Sequence, residues 1–298
     1  MPPTLLMVAA TLLFSLMGVC VKFASSDYNA GEIVMYRGLI GMAVMAVVAR
    51  AQGQGLATKV PAMHFWRSLS GVISLSLWFY SIGGLPLATA MTLNYMSSIW
   101  MAMFLIGGGV LMGAKRIDNR LIAAVLVGFV GVALVLRPTV DSRQAVYGFA
   151  GLISGMLSAM AYLQVTALGR IGEPETRTVF YFSTGGAIAG AVTAVASGQG
   201  FHSHTLRGAV LLIAVGVLAA GAQLALTGAY ARGKAMVNAC LQYLGIVFAF
   251  VWGLLLFHDP LTAWALGGIT LIILAGLSAT LLRANSTPAD SQHSLSES

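Results

Sequence analysis

The chain has 298 residues, of which 58% are hydrophobic and only 8% charged. A soluble domain carries about a quarter charged residues, and one this apolar would expose aggregating patches. Composition therefore excludes a water-soluble globule, and the formal net charge of +7 needs an explanation compatible with a bilayer.

About 20 apolar residues cross a hydrocarbon core as a helix. That ruler finds ten runs: roughly 4–24, 32–50, 66–84, 88–112, 119–137, 146–169, 177–197, 207–229, 235–257 and 262–282. The first has no basic segment before it and no small-residue cleavage site after it, so it reads as a true span. The breaks between runs carry turn chemistry, as in Ser25-Ser26-Asp27-Tyr28-Asn29, Gly83-Gly84-Leu85-Pro86, Lys115-Arg116-Ile117-Asp118-Asn119, Gly172-Glu173-Pro174 and His258-Asp259-Pro260. Beyond Arg283 the Ser-rich residues 284–298 are expected to be a disordered cytoplasmic tail.

Charge placement supports this reading. The nine acidic residues lie in breaks, at run edges or in the tail, because a carboxylate at the bilayer centre costs at least about 2.5 kcal/mol. With the N-terminus inside, cytoplasmic segments hold 11 basic residues, Arg67 among them, against 4 on the outside (Lys22, Arg137, Arg143 and Arg207), and Arg37 lies within a span. This positive-inside bias accounts for the net charge, so no nucleic-acid partner is needed.

The two halves echo one another. Leu93-Asn94-Tyr95-Met96 in run four matches Leu241-Gln242-Tyr243-Leu244 in run nine at an offset of 148. Tyr36 and Tyr181, and Gly131 and Gly276, are offset by 145, and Arg67 and Arg207 by 140. A duplicated unit of five spans, an odd number, must enter the membrane upside down in its second copy. The expected fold is an all-α membrane protein of ten transmembrane helices in two inverted five-helix repeats, 1–140 and 144–283, with both termini cytoplasmic. Such proteins bind cargo near the midplane, between the halves.

Two five-helix repeats in about 300 residues resemble the drug/metabolite transporter superfamily in its EamA-type branch. The first span, Phe14-Ser15-Leu16-Met17-Gly18-Val19-Cys20-Val21-Lys22, is similar to the family's first-helix pattern, Arg37 matches the family's usual arginine, and Ser158-Ala159-Met160-Ala161-Tyr162 resembles the start of the second repeat. Within the branch the likeness is to YddG-type aromatic amino-acid exporters. The resemblance implies export of amino acids, other metabolites or drugs across the bacterial inner membrane. Many members have proline inside spans four and nine, where this chain has its tyrosine motifs, so any bend there must come from glycine or local packing.

Polar side chains within spans must find partners or face a water-filled cavity. Met91, Asn94 and Tyr95 in span four, and Asn238, Gln242 and Tyr243 in span nine, are candidates for a cavity where the repeats meet; interhelical hydrogen bonding is the alternative role. Trp78 and Tyr80 in span three, Trp100, Tyr162, Gln164 and Gln223 form a second group, suited to stacking on flat cargo or to packing at the interfaces. Lys22 and Arg37 are expected either to snorkel to outer headgroups or to act as a cationic gate for a departing carboxylate. Gly109/Gly113 and Gly186/Gly190 have the spacing of close helix packing.

Other signals are missing from the sequence. No histidine lies mid-span, no pair of mid-span aspartates exists, and no phosphate loop or metal-ligand spacing is present. Cys20 and Cys240 read as small membrane-buried residues. The expectation is a non-enzymatic exporter without cofactor, partnered by membrane lipid and a small-molecule substrate, with amino acids foremost. Drugs, lipophilic cations or lipids are alternative cargoes. The lack of a buried acid points to a neutral or zwitterionic substrate and to weak or absent proton coupling.

Overall fold

Pro2 and Pro3 open the first helix of the computed structural model, α1 (Pro3–Ala24), since proline's missing N–H costs nothing in a first turn. The structure describes residues 1–97, 142–198, 201–233, 241–259 and 262–285, residue 238, and scattered positions between 99 and 134. Helix α2 (Ala30–Ala51) starts at a capping box in which Asn29 and Glu32 satisfy each other's backbone N–H groups. Helix α3 (Pro61–Gly84) again begins at proline, five residues before the apolar run. Then follow α4 (Leu87–Tyr95), α5 (Ser142–Arg170), α6 (Glu175–Ala196), α7 (Leu206–Arg232), α8 (Leu244–Phe257) and α9 (Ala263–Asn285). Thr205 caps α7 by accepting from Gly208 N at 3.0 Å.

Among the described residues, five stretches are long and apolar enough to cross a membrane: Pro3–Ala24, Ala30–Ala51, Gln144–Arg170, Glu175–Ala196 and Leu206–Arg232. Leu244–Phe257 and Leu266–Ala275 are shorter apolar segments. Helix α3 has the length, at 24 residues, but carries His64, Arg67 and five serines, and several of these turn inward. The expected fifth crossing at 119–137 lies mostly outside the described residues. The turn at 115–119, Gly109/Gly113, Cys240 and tail residues 286–298 lie wholly outside them.

The molecule has the inside-out polarity of a membrane protein. Val47, Ile188, Val192, Val210, Ile213 and Leu255 are more than half exposed, whereas Arg37, Arg67, Ser74, Asn94, Gln223 and Gln242 are buried. Aliphatic groups meet lipid, and polar groups find partners within the bundle.

Helix pairing follows a pattern of exchange. The most extensive packing joins α2 to α6, followed by α1 to α7 and α3 to α5. Swapping α1 with α5, α2 with α6, α3 with α7 and α4 with α8 interconverts α1·α7 with α3·α5 and maps α2·α6 onto itself. The same swap interconverts α2·α7 with α3·α6, and α1·α8 with α4·α5, while α4·α8 maps onto itself. Glycines permit the central α2·α6 contact: a Cβ on Gly38 or Gly190 would strike the backbone of Ala187 or Met35.

Two helices break where the repeated motifs lie. Helix α4 ends at Tyr95, and Met96 turns there with its N–H shared between the Thr92 and Leu93 carbonyls, before the chain resumes helical form. Helix α8 begins after a matching turn at Tyr243. No proline lies at either break, and the two pack closely on one another: a Cβ on Gly245 would come within 2.7 Å of the Tyr95 ring.

Polar contacts gather the connections into two groups. One joins Asn29–Glu32 and Tyr36 to His202 and His204, through Glu32 Oε1 to His202 N at 2.7 Å and Tyr36 Oη to His204 Nε2 at 2.6 Å. The other joins residues 52–64 to 173–177. There Glu173 Oε1 accepts from Thr58 at 2.8 Å, His64 at 2.9 Å and Arg177 at 3.1 Å, and Arg177 also donates to Gly55 O at 2.8 Å. Burial pushes the Glu173 carboxyl up, but the bonds from His64, Thr58 and Arg177 outweigh it and hold the group below its usual range.

Candidate functional site

A cavity lies between α1, α3 and α4 on one side and α5, α6 and α7 on the other. It is a small cavity, about 40 Å³ in volume. Its wall has an aromatic part and a polar part.

Phe14 of α1, Trp78 of α3, Tyr95 of α4, Tyr162 of α5 and Phe182 of α6 supply the rings. Phe14 and Trp78 meet edge to face at 6.3 Å, and Tyr162 stacks on Tyr230 of α7 at 5.5 Å and 16°. These geometries hold the rings as rigid platforms. The polar part is a small network in which Ser74 Oγ donates to Ser154 O at 2.8 Å and lies 2.7 Å from Ser158 Oγ. Asn94 Nδ2 donates to Ser154 Oγ at 2.6 Å and to Ser158 Oγ at 3.2 Å. Serines four apart on α5 share a helix face, so one turn of α5 serves both α3 and α4. Gln223 of α7 completes this side.

Arg67 is the one cation in the described wall. It is 2% exposed and lies across the Phe182 ring at 4.2 Å from its centroid. A Cβ at Gly71 would collide with its guanidinium, so glycine one turn along α3 makes the bed on which the guanidinium lies. The expectation of Arg67 as a cytoplasmic-surface residue is corrected: its side chain turns into the bundle. Arg37 does not snorkel to the outer surface either. It is 2% exposed, and its guanidinium carbon is 4.9 Å from the same Phe182 centroid. Helix packing decided both, because each arginine starts within reach of the Phe182 face.

Of the residues expected around a cavity, Trp78, Asn94, Tyr95, Tyr162 and Gln223 are in this wall. The others are placed elsewhere. Tyr80 is 42% exposed and its ring meets that of Tyr147 at a 36° tilt, 4.6 Å between centroids. Met91 is fully buried near Gly18. Trp100 is partly buried against Phe104 at 6.5 Å. Gln164 accepts from Ser70 at 2.8 Å, and Asn238 donates to Ala229 O at 2.6 Å. Gln242 sits beside the Tyr162 hydroxyl, and Tyr243 is buried at the break before α8. Lys22 donates to Leu85 O at 2.9 Å and pairs with Asp259 at 3.5 Å, while Asp259 Oδ2 caps α4 by accepting from Leu87 N at 3.0 Å. Lys22 thus joins α1 to two inter-helix turns.

A bundle with a lipid-facing apolar surface and a polar cavity between two sets of helices defines a multi-pass membrane transporter. The profile of the EamA-like transporter family matches residues 1–137. The pseudopaline exporter CntI of Pseudomonas aeruginosa is 32% identical over 272 residues, covering 91% of this chain and 93% of that protein. The chain therefore belongs to the EamA-type branch of the drug/metabolite transporter superfamily, and it is a small-molecule transporter of the bacterial inner membrane. A riboflavin transporter of Rhizobium johnstonii is 26% identical over 277 residues, covering 91% and 88% of the two chains. One solved protein crystal structure shares the fold with a TM-score of 0.68 at 16% identity, covering 96% of this chain and 99% of the other.

Proposed function

We propose that the chain is an alternating-access exporter of small metabolites, chiefly amino acids and aromatic ones among them. In this reading it has ten crossings, inverted repeats at 1–140 and 144–283, and both termini in the cytoplasm. The observation that carries it is the cavity, whose wall of rings and hydrogen-bonding groups comes from helices of both halves. The exchange of helix pairings supports an inverted duplication. So do the breaks at Tyr95 and Tyr243, since discontinuous helices at matching positions are where carriers of this kind hold cargo. The grouping of connections into two rims is what alternating crossings require.

Flat side chains suit Trp78, Tyr162 and Phe14, and backbone-like polar groups suit Asn94, Ser158 and Gln223. Lipophilic cations fit poorly, because the described wall carries Arg67 and no acid. Cargo leaves chemically unchanged, driven by its own gradient or by exchange. The test is counterflow in proteoliposomes with amino acids, nucleosides and lipophilic cations, with and without an imposed pH gradient. Amino-acid counterflow that persists without the gradient is expected. Counterflow of lipophilic cations alone, or strict dependence on the gradient, overturns the reading.

A further inference from the structure

Two arginines are buried around one ring, and neither forms an ion pair with a carboxylate among the described residues. Arg67 Nε and Nη1, and Arg37 Nε, are buried without a hydrogen-bond partner. Phe182 offsets part of the cost through its π face, but a ring cannot accept five directional N–H bonds. Stripping water from two like charges with no counter-ion is unfavourable unless an anion joins them at some stage. Two more buried atoms in the same wall lack partners: Trp78 Nε1, a donor, and Gln223 Oε1, an acceptor.

We propose that Arg67, backed by Arg37 across Phe182, is the binding site for a carboxylate of the cargo. Taking this cavity as the cargo site rests on the export reading; the chemical class does not. A planar guanidinium lying in a glycine bed is oriented to make paired bonds to a planar carboxylate. Gln223 Oε1 then accepts from an ammonium group where the cargo has one. The site takes carboxylic acids and zwitterions and rejects amines that lack the carboxylate.

The experiment uses the full chain in lipid nanodiscs, with tryptophan fluorescence and melting temperature as readouts. The probes are a matched set: L-phenylalanine, 3-phenylpropionate and benzoate, which carry a carboxylate, and phenethylamine and L-phenylalanine amide, which do not. Expected is saturable binding of at least one carboxylate probe, with the amines at least tenfold weaker. Arg67→Lys keeps the charge but loses the paired geometry, and should weaken carboxylate binding about tenfold or more. Gly71→Ala, which displaces the guanidinium without removing it, should weaken binding in the same direction.

Amines binding as tightly as acids, carboxylate binding unaltered in folded Arg67→Lys, or no carboxylate binding at millimolar concentration each overturn the assignment. The acid–amine comparison on the unaltered protein stands even where a variant fails to fold. Arg67-dependent carboxylate binding without amino-acid counterflow upholds this site and removes the amino-acid reading. Counterflow indifferent to Arg67→Lys does the reverse.

Discussion

Single side chains carry the chemistry of the cavity, and their visibility in the sequence varied with how unusual each is in lipid. Asn94, Gln223 and Tyr162 stand out because polar groups inside apolar runs are costly and must have partners. Arg67 was hidden by its position near a run's end, where a basic residue ordinarily marks the cytoplasmic surface. Ser74 and Ser158 are unremarkable in composition. Their i, i+4 companions Ser70 and Ser154 put a small polar stripe on each helix, and that spacing was a readable signal. Nothing local marks Phe14 or Phe182, which matter only through what packs on them. Asn94→Leu leaves the Ser154 and Ser158 hydroxyls without their donor. It should cost about 1–3 kcal/mol, seen as a lower melting temperature in detergent together with slower counterflow.

At the scale of helices, periodicity and turn chemistry were enough to locate most elements, because lipid forces every backbone group to be satisfied within its own helix. The start of α3 was displaced because Pro61, and not hydrophobicity, sets it. The interruptions at Tyr95 and Tyr243 could not be foreseen without the packing of Tyr95 on Gly245. Glycine on α6 gives a test with opposite signs. A methyl on Gly190 meets the Met35 backbone, whereas one on Gly186 has only the Gly38 Cα in reach, at 4.0 Å. Gly190→Ala should destabilise by about 1–3 kcal/mol. Gly186→Ala should be neutral or stabilising by up to about 1 kcal/mol through helix propensity. Thermal melts of the two variants side by side check this, and equal effects would remove the close α2·α6 crossing as a source of stability.

For the molecule as a whole, the two rims are built differently. The rim formed by residues 52–64 and 173–177 converges on one carboxylate, Glu173, whose pKa is held below its usual range in the fold. A depressed acid contributes stability above its unfolded value, and that contribution is lost as pH falls through the folded value. The rim should therefore loosen on acidification through and below the ordinary carboxylate range. Glu173→Gln should lower the melting temperature at pH 7 and flatten its fall at acid pH. A melt series from pH 3 to 7 on both proteins measures this, and parallel curves would exclude Glu173 as the source.

The exchange of helix pairings has a consequence for direction. Under the proposed inverted duplication, a scaffold that maps onto itself when its halves are swapped has no built-in sense of inward or outward, so any bias in which mouth rests open must arise where the halves differ. The described connections are one place where they differ: Glu173 gathers three donors at one rim, while Lys22, Asp259 and the Leu85 and Leu87 backbone form a clasp among the other turns. On that proposal, the resting posture of the carrier is set by a handful of loop contacts, and substitutions there should shift it while leaving the helices able to serve either face.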